Sequence, residues 1–154
     1  MTTLPSRDWA VAAFVVWRDQ VMLHRHAKLN LWLPCGGHVE PGELPDDAAV
    51  REVFEESGVH VRLLGTPPVA SLGPRPLVPP RGVQLSLIEP GHEHIDLIYF
   101  AVPDGAYDGA LVGEPTLGWY APAALGDLPL TDEIRAWTTL ALREIPTSGV
   151  HLTR

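Results

Sequence analysis

The chain has 154 residues, 45% hydrophobic and 19% charged, and a formal net charge of −8 from 11 basic and 19 acidic side chains. That length can bury a core without disulfide or metal staples, and that composition excludes a disordered chain. The acidic balance argues against a general nucleic-acid binder, which needs a basic face, but a carboxylate cluster holding divalent cations still admits a polyanionic substrate. The single cysteine, Cys35, rules out an intramolecular disulfide and points to a reducing compartment.

The opening stretch, MTTLPSRDWAVAAFVVWRDQ, carries an apolar run from Trp9 to Trp17. That run is far short of the ~20 residues that cross a bilayer. The stretch also lacks the basic start and small-residue cleavage site of a signal peptide, so the expectation is a cytoplasmic protein with no membrane segment. WAVAAFVVW and QVMLHRH flank the polar pair RD and predict two buried strands joined by a tight turn. The apolar segment AAFVVW serves equally as core or as the edge of a homodimer. LWLPCGGHVEPGE, with paired glycines and two prolines, predicts a shaped loop without regular structure.

From Pro45 to Ser57 the pattern predicts a helix. Pro45 suits the first helical position, Asp46 and Asp47 favour the positive helix start, and Gly58 suits the stop. VHVRLL predicts a short strand. Seven prolines between Pro67 and Pro90 forbid a helix there, although VQLSLI alternates Val83, Leu85 and Leu87 with Gln84 and Ser86 as a half-buried strand does. HIDLIYFAV predicts a stronger strand, PDGAYDGALVGEPTLG a loop, and WYAP a brief strand or turn. LTDEIRAWTTLALREI predicts a helix capped by Thr131, with Ile134, Trp137, Leu140 or Ala141, and Ile145 as its apolar stripe. With no internal repeat and no linker, residues 1–154 read as one domain of mixed α/β (α+β) type around a sheet.

Seven of the 19 acidic residues (Glu40, Glu43, Asp46, Asp47, Glu52, Glu55 and Glu56) fall between Gly37 and Val59. On a helix turning about 100° per residue, Glu52, Glu55 and Glu56 share one face, with Val50, Val53 and Phe54 opposite as the core side. Like charges so placed cost up to ~0.5 kcal/mol per pair if left alone. Either the face is simply solvated, or it holds a cation; an all-oxygen ligand set on a rigid element suits Mg2+ or Mn2+.

From Gly37 the spacing runs Gly, five residues, Glu43, seven residues, then Arg51-Glu52-Val53-Phe54-Glu55-Glu56-Ser57-Gly58-Val59. This resembles the complete Nudix box, residues 37–59, with all nine specified positions matched. The resemblance implies an α/β/α sandwich around a mixed sheet. It also implies hydrolysis of the diphosphate linkage in a nucleoside diphosphate joined to another group: a nucleoside triphosphate, a sugar nucleotide or a dinucleoside polyphosphate. By the same resemblance Glu52, Glu55 and Glu56 are the catalytic and metal-holding carboxylates, the Gly36 carbonyl is a further ligand, and Glu43 and Arg51 pair to brace the loop against the helix. The implied cofactor is Mg2+, with Mn2+ as the alternative, and the implied partner is a small nucleotide. The competing function is a catalytically silent domain that senses a nucleotide metabolite.

Outside the box, Glu114 in GEPTLGWY is the candidate for another metal ligand, with Glu89 and Glu93 competing. His92, His94 and Asp96 alternate along one strand face, as a metal or phosphate contact or as strand-end polar groups bonded to backbone. His94 and Asp96 are kept as substrate contacts. Trp32, Tyr99 and Phe100 stack on a base or belong to the core. Arg25, His26 and Lys28 meet phosphates or form a polar hairpin end; Arg25 and Trp32 complete the expected substrate set. Cys35, with no base paired to it in sequence, fills a tight turn rather than acting as a nucleophile.

Overall fold

A computed structural model describes residues 4–145. Two long strands, β1 (Ser6–Trp17) and β7 (His92–Pro103), run parallel in continuous register from Ser6 opposite His92 to Val15 opposite Ala101. They form the centre of an eight-stranded mixed sheet. β2 (Gln20–His26) folds back on β1 through a two-residue turn in which Arg18 and Asp19 both take positive φ, 49° and 58°, as the twist of a tight hairpin requires. β5 (Val61–Leu64) and β6 (Gly82–Glu89) lie end to end along the far side of β7, and β8 (Gly118–Tyr120) pairs with β2.

The residues 31–38 do not form the structureless loop that their glycines and prolines predict. They hold two short strands, β3 (Leu31–Leu33) on β2 and β4 (Cys35–His38) on β1, with Pro34 between them where no ladder bond is needed. The glycines serve close approach: a side chain on Gly36 would put its first carbon 2.2 Å from the Val11 carbonyl oxygen on β1.

One face of the sheet carries α1 (Pro45–Ser57), the other α3 (Asp132–Glu144), and a short α2 (Pro122–Leu125) follows β8, the brief strand expected at WYAP. This is an α+β fold with helices on both faces of a mixed sheet. Val11, Ala13, Val15 and Tyr99 pack under α1, while Phe14, Val16, Ile98 and Phe100 pack under α3. Alternation along β1 and β7 thus feeds two cores from the same strands. Tyr99 and Phe100, candidates for base stacking, are 1% and 3% exposed and belong to these cores.

Two further expectations are corrected. In α1 the buried stripe is Ala48, Ala49, Val53 and Ser57, and Phe54 lies outside it, 45% exposed and stacked on His60 at 4.4 Å. Small residues let the helix sit close to the sheet, so the large ring is turned outward. On β6 the apolar row is the exposed one: Val83, Leu85 and Leu87 are 58%, 57% and 72% exposed. Among the described residues β6 pairs only with β7, and its Gln84 faces α3 by accepting from Trp137 Nε1 at 2.9 Å. No helix among the described residues is long and apolar enough to cross a membrane.

Candidate active site

The Ala49–Val53–Ser57 row sets the helix down on the sheet, and the neighbouring row, Glu52 and Glu56, is drawn to the sheet boundary. Glu52 and Glu56 side chains are only 14% and 30% exposed, against 56% for Glu55. All three lie in the last two turns of α1, at the negative end of the helix dipole, and the last turn has no basic residue. A helix selected for stability alone would not place them there.

Arg51 organises the near side of the group. Its Nε and Nη2 donate to the two carboxylate oxygens of Glu43 at 2.7 and 3.0 Å, and Nη2 also reaches the His38 carbonyl at 3.1 Å. Its Nη1 donates to Glu52 Oε1 at 2.9 Å and to Glu55 Oε2 at 3.0 Å. Glu43 takes a further bond from the Glu40 N–H. The Arg51 bonds hold the Glu43 carboxyl below its ordinary range, and Glu43 in turn holds the guanidinium protonated. For Glu52, burial outweighs the Arg51 contact and raises its proton affinity, with the Glu56 and Glu55 charges adding to the rise.

Glu52 also explains the second glycine. A side chain on Gly37 would place its first carbon 2.5 Å from Glu52 Oε1, so the carboxylate lies flat on the strand backbone only because that carbon is missing. At the far side, Glu56 Oε2 is enclosed and takes no hydrogen bond, with His24 Nε2 at 3.3 Å as its nearest basic group. His24 is buried on β2, and its pKa is raised chiefly by Glu56, against the opposing effect of burial, with Glu114 contributing. The sequence reading missed His24: its only signal is a histidine at an inward position of an otherwise apolar strand.

Glu114 is delivered by a loop docked on the end of α1. The Val112 N–H donates to the Ser57 carbonyl at 2.9 Å, and a first side-chain carbon on Gly113 would meet the Glu56 carbonyl oxygen at 2.3 Å. Glu114 therefore lines, with Glu56, His24, His26 and Leu117, a cavity of about 150 Å³. Its competitors lie elsewhere: Glu93 pairs with Arg7 at 2.8 Å, and Glu89 ends β6. Arg25 is exposed; its guanidinium bonds Asn30, and its N–H donates to Thr116 Oγ1 at 2.8 Å. Trp32, opposite Arg25 in register, is half-buried edge-on to Tyr120 at 5.3 Å. Asp96 bonds Ser86, and His94 meets His38 at 3.1 Å. Burial, then the neighbouring His38, lowers the His94 pKa. Cys35 is fully buried beside Met22, its thiol kept protonated by burial and by the Glu56 and Glu52 charges, so it packs rather than reacts.

The fold thus sets a helix presenting glutamates against a glycine strand, with helices on both faces of a mixed sheet. The chain belongs to the NUDIX family: a sequence model of the NUDIX domain matches residues 6–145. Among solved structures, a NUDIX-family hydrolase from Clostridium perfringens is 30% identical, covers 92% of this chain and 99% of its own, and superposes with a TM-score of 0.80. Local sequence similarity reaches the m7GpppN-mRNA hydrolase NUDT17 of Bos taurus, 43% identical over 60 residues, which is 35% of this chain and 20% of the relative. It also reaches diphosphoinositol polyphosphate phosphohydrolase 3-alpha of Mus musculus, 48% identical over 46 residues, 29% of this chain and 28% of the relative. The chain thus spans less than a third of the length of either curated relative.

Proposed function

We propose that the chain is a divalent-metal-dependent hydrolase of the diphosphate linkage in a nucleoside diphosphate joined to another moiety. The observation that carries this reading is the Glu52–Glu56 row, pressed against a glycine strand, with an enclosed Glu56 oxygen that accepts no well-formed hydrogen bond and has His24 Nε2 beside it at 3.3 Å. A partly buried carboxylate row with so few cationic partners is costly unless a further positive charge completes it. The donor set of Glu52, Glu55, Glu56, Glu114 and the Gly36 carbonyl is all oxygen, which fits Mg2+ or Mn2+. Such an ion, when bound, supplies charge neutralisation for the diphosphate oxygens and acidifies water.

The chain's own residues do the rest. Arg51 fixes Glu52 and Glu55 from one side while Glu43 fixes Arg51, so the ligands are preorganised rather than gathered on binding. Glu52 meets Arg51 through Oε1 only and has a raised proton affinity, which makes it the proposed general base, a role typically worth ~10²–10⁴-fold. His24 positions Glu56, and the Gly113 contact positions Glu114. Proposed substrate contacts are Arg25 and Trp32, in register on the β2–β3 hairpin; His94 and Asp96, expected with them, lie on the sheet face opposite Glu52 and leave this set. The Arg25–Thr116 bond supports the pair by tying that hairpin to the Glu114 loop.

The relatives' names cover a capped mRNA and a diphosphoinositol polyphosphate, and both substrates contain phosphoanhydride bonds. The test is a panel of nucleoside triphosphates, sugar nucleotides and dinucleoside polyphosphates with Mg2+ or Mn2+, with products resolved by phosphorus NMR. Turnover of at least one, abolished by Glu56→Gln with the fold intact, is expected. Tight nucleotide binding with no turnover across the panel would favour the silent sensor instead.

A further inference from the structure

Alternation turns His38 away from its neighbour Gly37 and onto the sheet face opposite Glu52. There it meets side chains that the carboxylate site does not use. Asp8 on β1 lies in register with His94 on β7, Ser6 with His92, and Ala10 with both His38 and Asp96. Three neighbouring strands therefore bring three imidazoles and two carboxylates to a single patch, of which Asp96 is engaged by Ser86 and Asp8 faces the imidazoles. Ligand atoms of Asp8, His92 and His94 all lie within 4.8 Å of one another. His38 Nε2 is 3.1 Å from His94 Nε2 and 3.8 Å from Asp8 Oδ2, and His92 Nε2 is 3.5 Å from Asp8 Oδ2.

We propose that Asp8, His38, His92 and His94 form a binding site for one divalent transition-metal ion of the zinc class, separate from the carboxylate site of α1. The spacing is the argument. Ligands held 2.0–2.1 Å from a tetrahedral ion stand roughly 3.3 Å apart, close to the 3.5 Å between His92 and Asp8 and the 3.1 Å between His38 and His94. Asp8, His92 and His94 form the compact cluster, and exposed His38, outside it, turns inward to complete the set. The 3.8 Å separation of His38 and Asp8 is too long for a hydrogen bond. Orientation agrees: Ser6 Oγ engages His92 Nδ1 at 2.9 Å, which leaves Nε2 directed at Asp8, the arrangement by which an outer hydrogen bond fixes a ligating imidazole. The rings brace one another edge to face, His38 on His94 at 4.7 Å and His92 on His94 at 5.1 Å.

The patch is also reachable. Asp8 and His38 side chains are 55% and 61% exposed and line an open groove of about 530 Å³. The nearby cation, Arg7, points to the other sheet face, where it pairs with Glu93. Imidazole nitrogen with one carboxylate suits zinc, cobalt or nickel over Mg2+, so the two sites differ in ligand chemistry as well as place. This assignment is independent of the proposed hydrolase activity.

The test uses the untagged full chain, stripped with a chelator and held in excess Mg2+ so that the carboxylate site is filled. Zn2+ is titrated by calorimetry, and Co2+ by its visible absorption. About one equivalent of Zn2+ is expected, with the intense Co2+ bands of tetrahedral coordination. His92→Gln and His94→Gln should each weaken Zn2+ binding by roughly tenfold or more, whereas Glu52→Gln should leave it unchanged. Should the β7 variants fail to fold, Asp8→Asn and His38→Gln, both at exposed positions, carry the same expectation. An absence of Zn2+ binding in wild type, or binding unaffected by these substitutions, would overturn the assignment.

Discussion

Glu52→Gln offers a test in which stability and activity must move in opposite directions. In the metal-free protein Glu52 is 14% exposed, with Glu55 and Glu56 as like-charged neighbours three and four residues on. Those two contacts cost ~0.2–0.5 kcal/mol each, roughly 0.5–1 kcal/mol together. Burial of the charge adds to this, and the Arg51 bond opposes it. The upward displacement of the Glu52 pKa from 4.5 means that the unfavourable contributions prevail. A carboxyl with a raised folded pKa stabilises the fold fully only below its unfolded value and loses that contribution as pH rises through the folded one. At neutral pH, in chelator, the glutamine variant should therefore melt about 1–3 °C above wild type. The difference should vanish as the pH falls below 4.5, where Glu52 is protonated in either state. Saturating Mg2+ should reverse the order, because only wild type gains the full ligand set, and turnover should be lost. Paired calorimetric scans with and without Mg2+ read all of this. A variant less stable than wild type in chelator would refute the claim that stability is given up here for metal binding.

The two box glycines should fail differently. Gly37→Ala displaces the Glu52 carboxylate and should lower turnover by about 10²-fold with little change in melting. Gly36→Ala drives into the β1 backbone and should destabilise the protein by about 3 kcal/mol, read by urea unfolding. Glu43→Gln should lower stability by about 1 kcal/mol or more at neutral pH, since one of the two bonds from Arg51 becomes uncharged and the other is lost, an amide NH2 being unable to accept it. Because Arg51 depresses the Glu43 pKa, that deficit should persist above pH 4.5 and close as the pH falls through the depressed value. His24→Asn should weaken Mn2+ binding by roughly tenfold, measured by electron paramagnetic resonance, if His24 positions Glu56.

Local signals were legible where one residue type has one physical use. Pro45 and Gly58 bound α1 at the positions expected from a fixed φ and a left-handed stop, Gly58 having φ 71°. The turn at Arg18 and Asp19 followed from two apolar runs separated by a polar pair. Legibility failed where packing partners decide. The outward turn of Phe54 depends on Ala49 and Ser57 drawing α1 close, and the exposure of Val83, Leu85 and Leu87 depends on no element covering β6 among the described residues. Glycines in residues 36–37 read as loop because they weaken an isolated strand, whereas here they admit β1 and Glu52. The box carboxylates were visible as a spacing, but His24, Asp8 and His38 come to their partners only through strand register, which a single sequence does not display.

Anomalous scattering from Mn2+ in crystals of the wild-type protein shows whether the α1 carboxylates hold a metal ion. A peak is expected within bonding distance of Glu52, Glu56 and the Gly36 carbonyl, absent in crystals of Glu56→Gln. Well-ordered crystals in saturating Mn2+ with no peak there, or with an equal peak in the variant, would contradict that expectation.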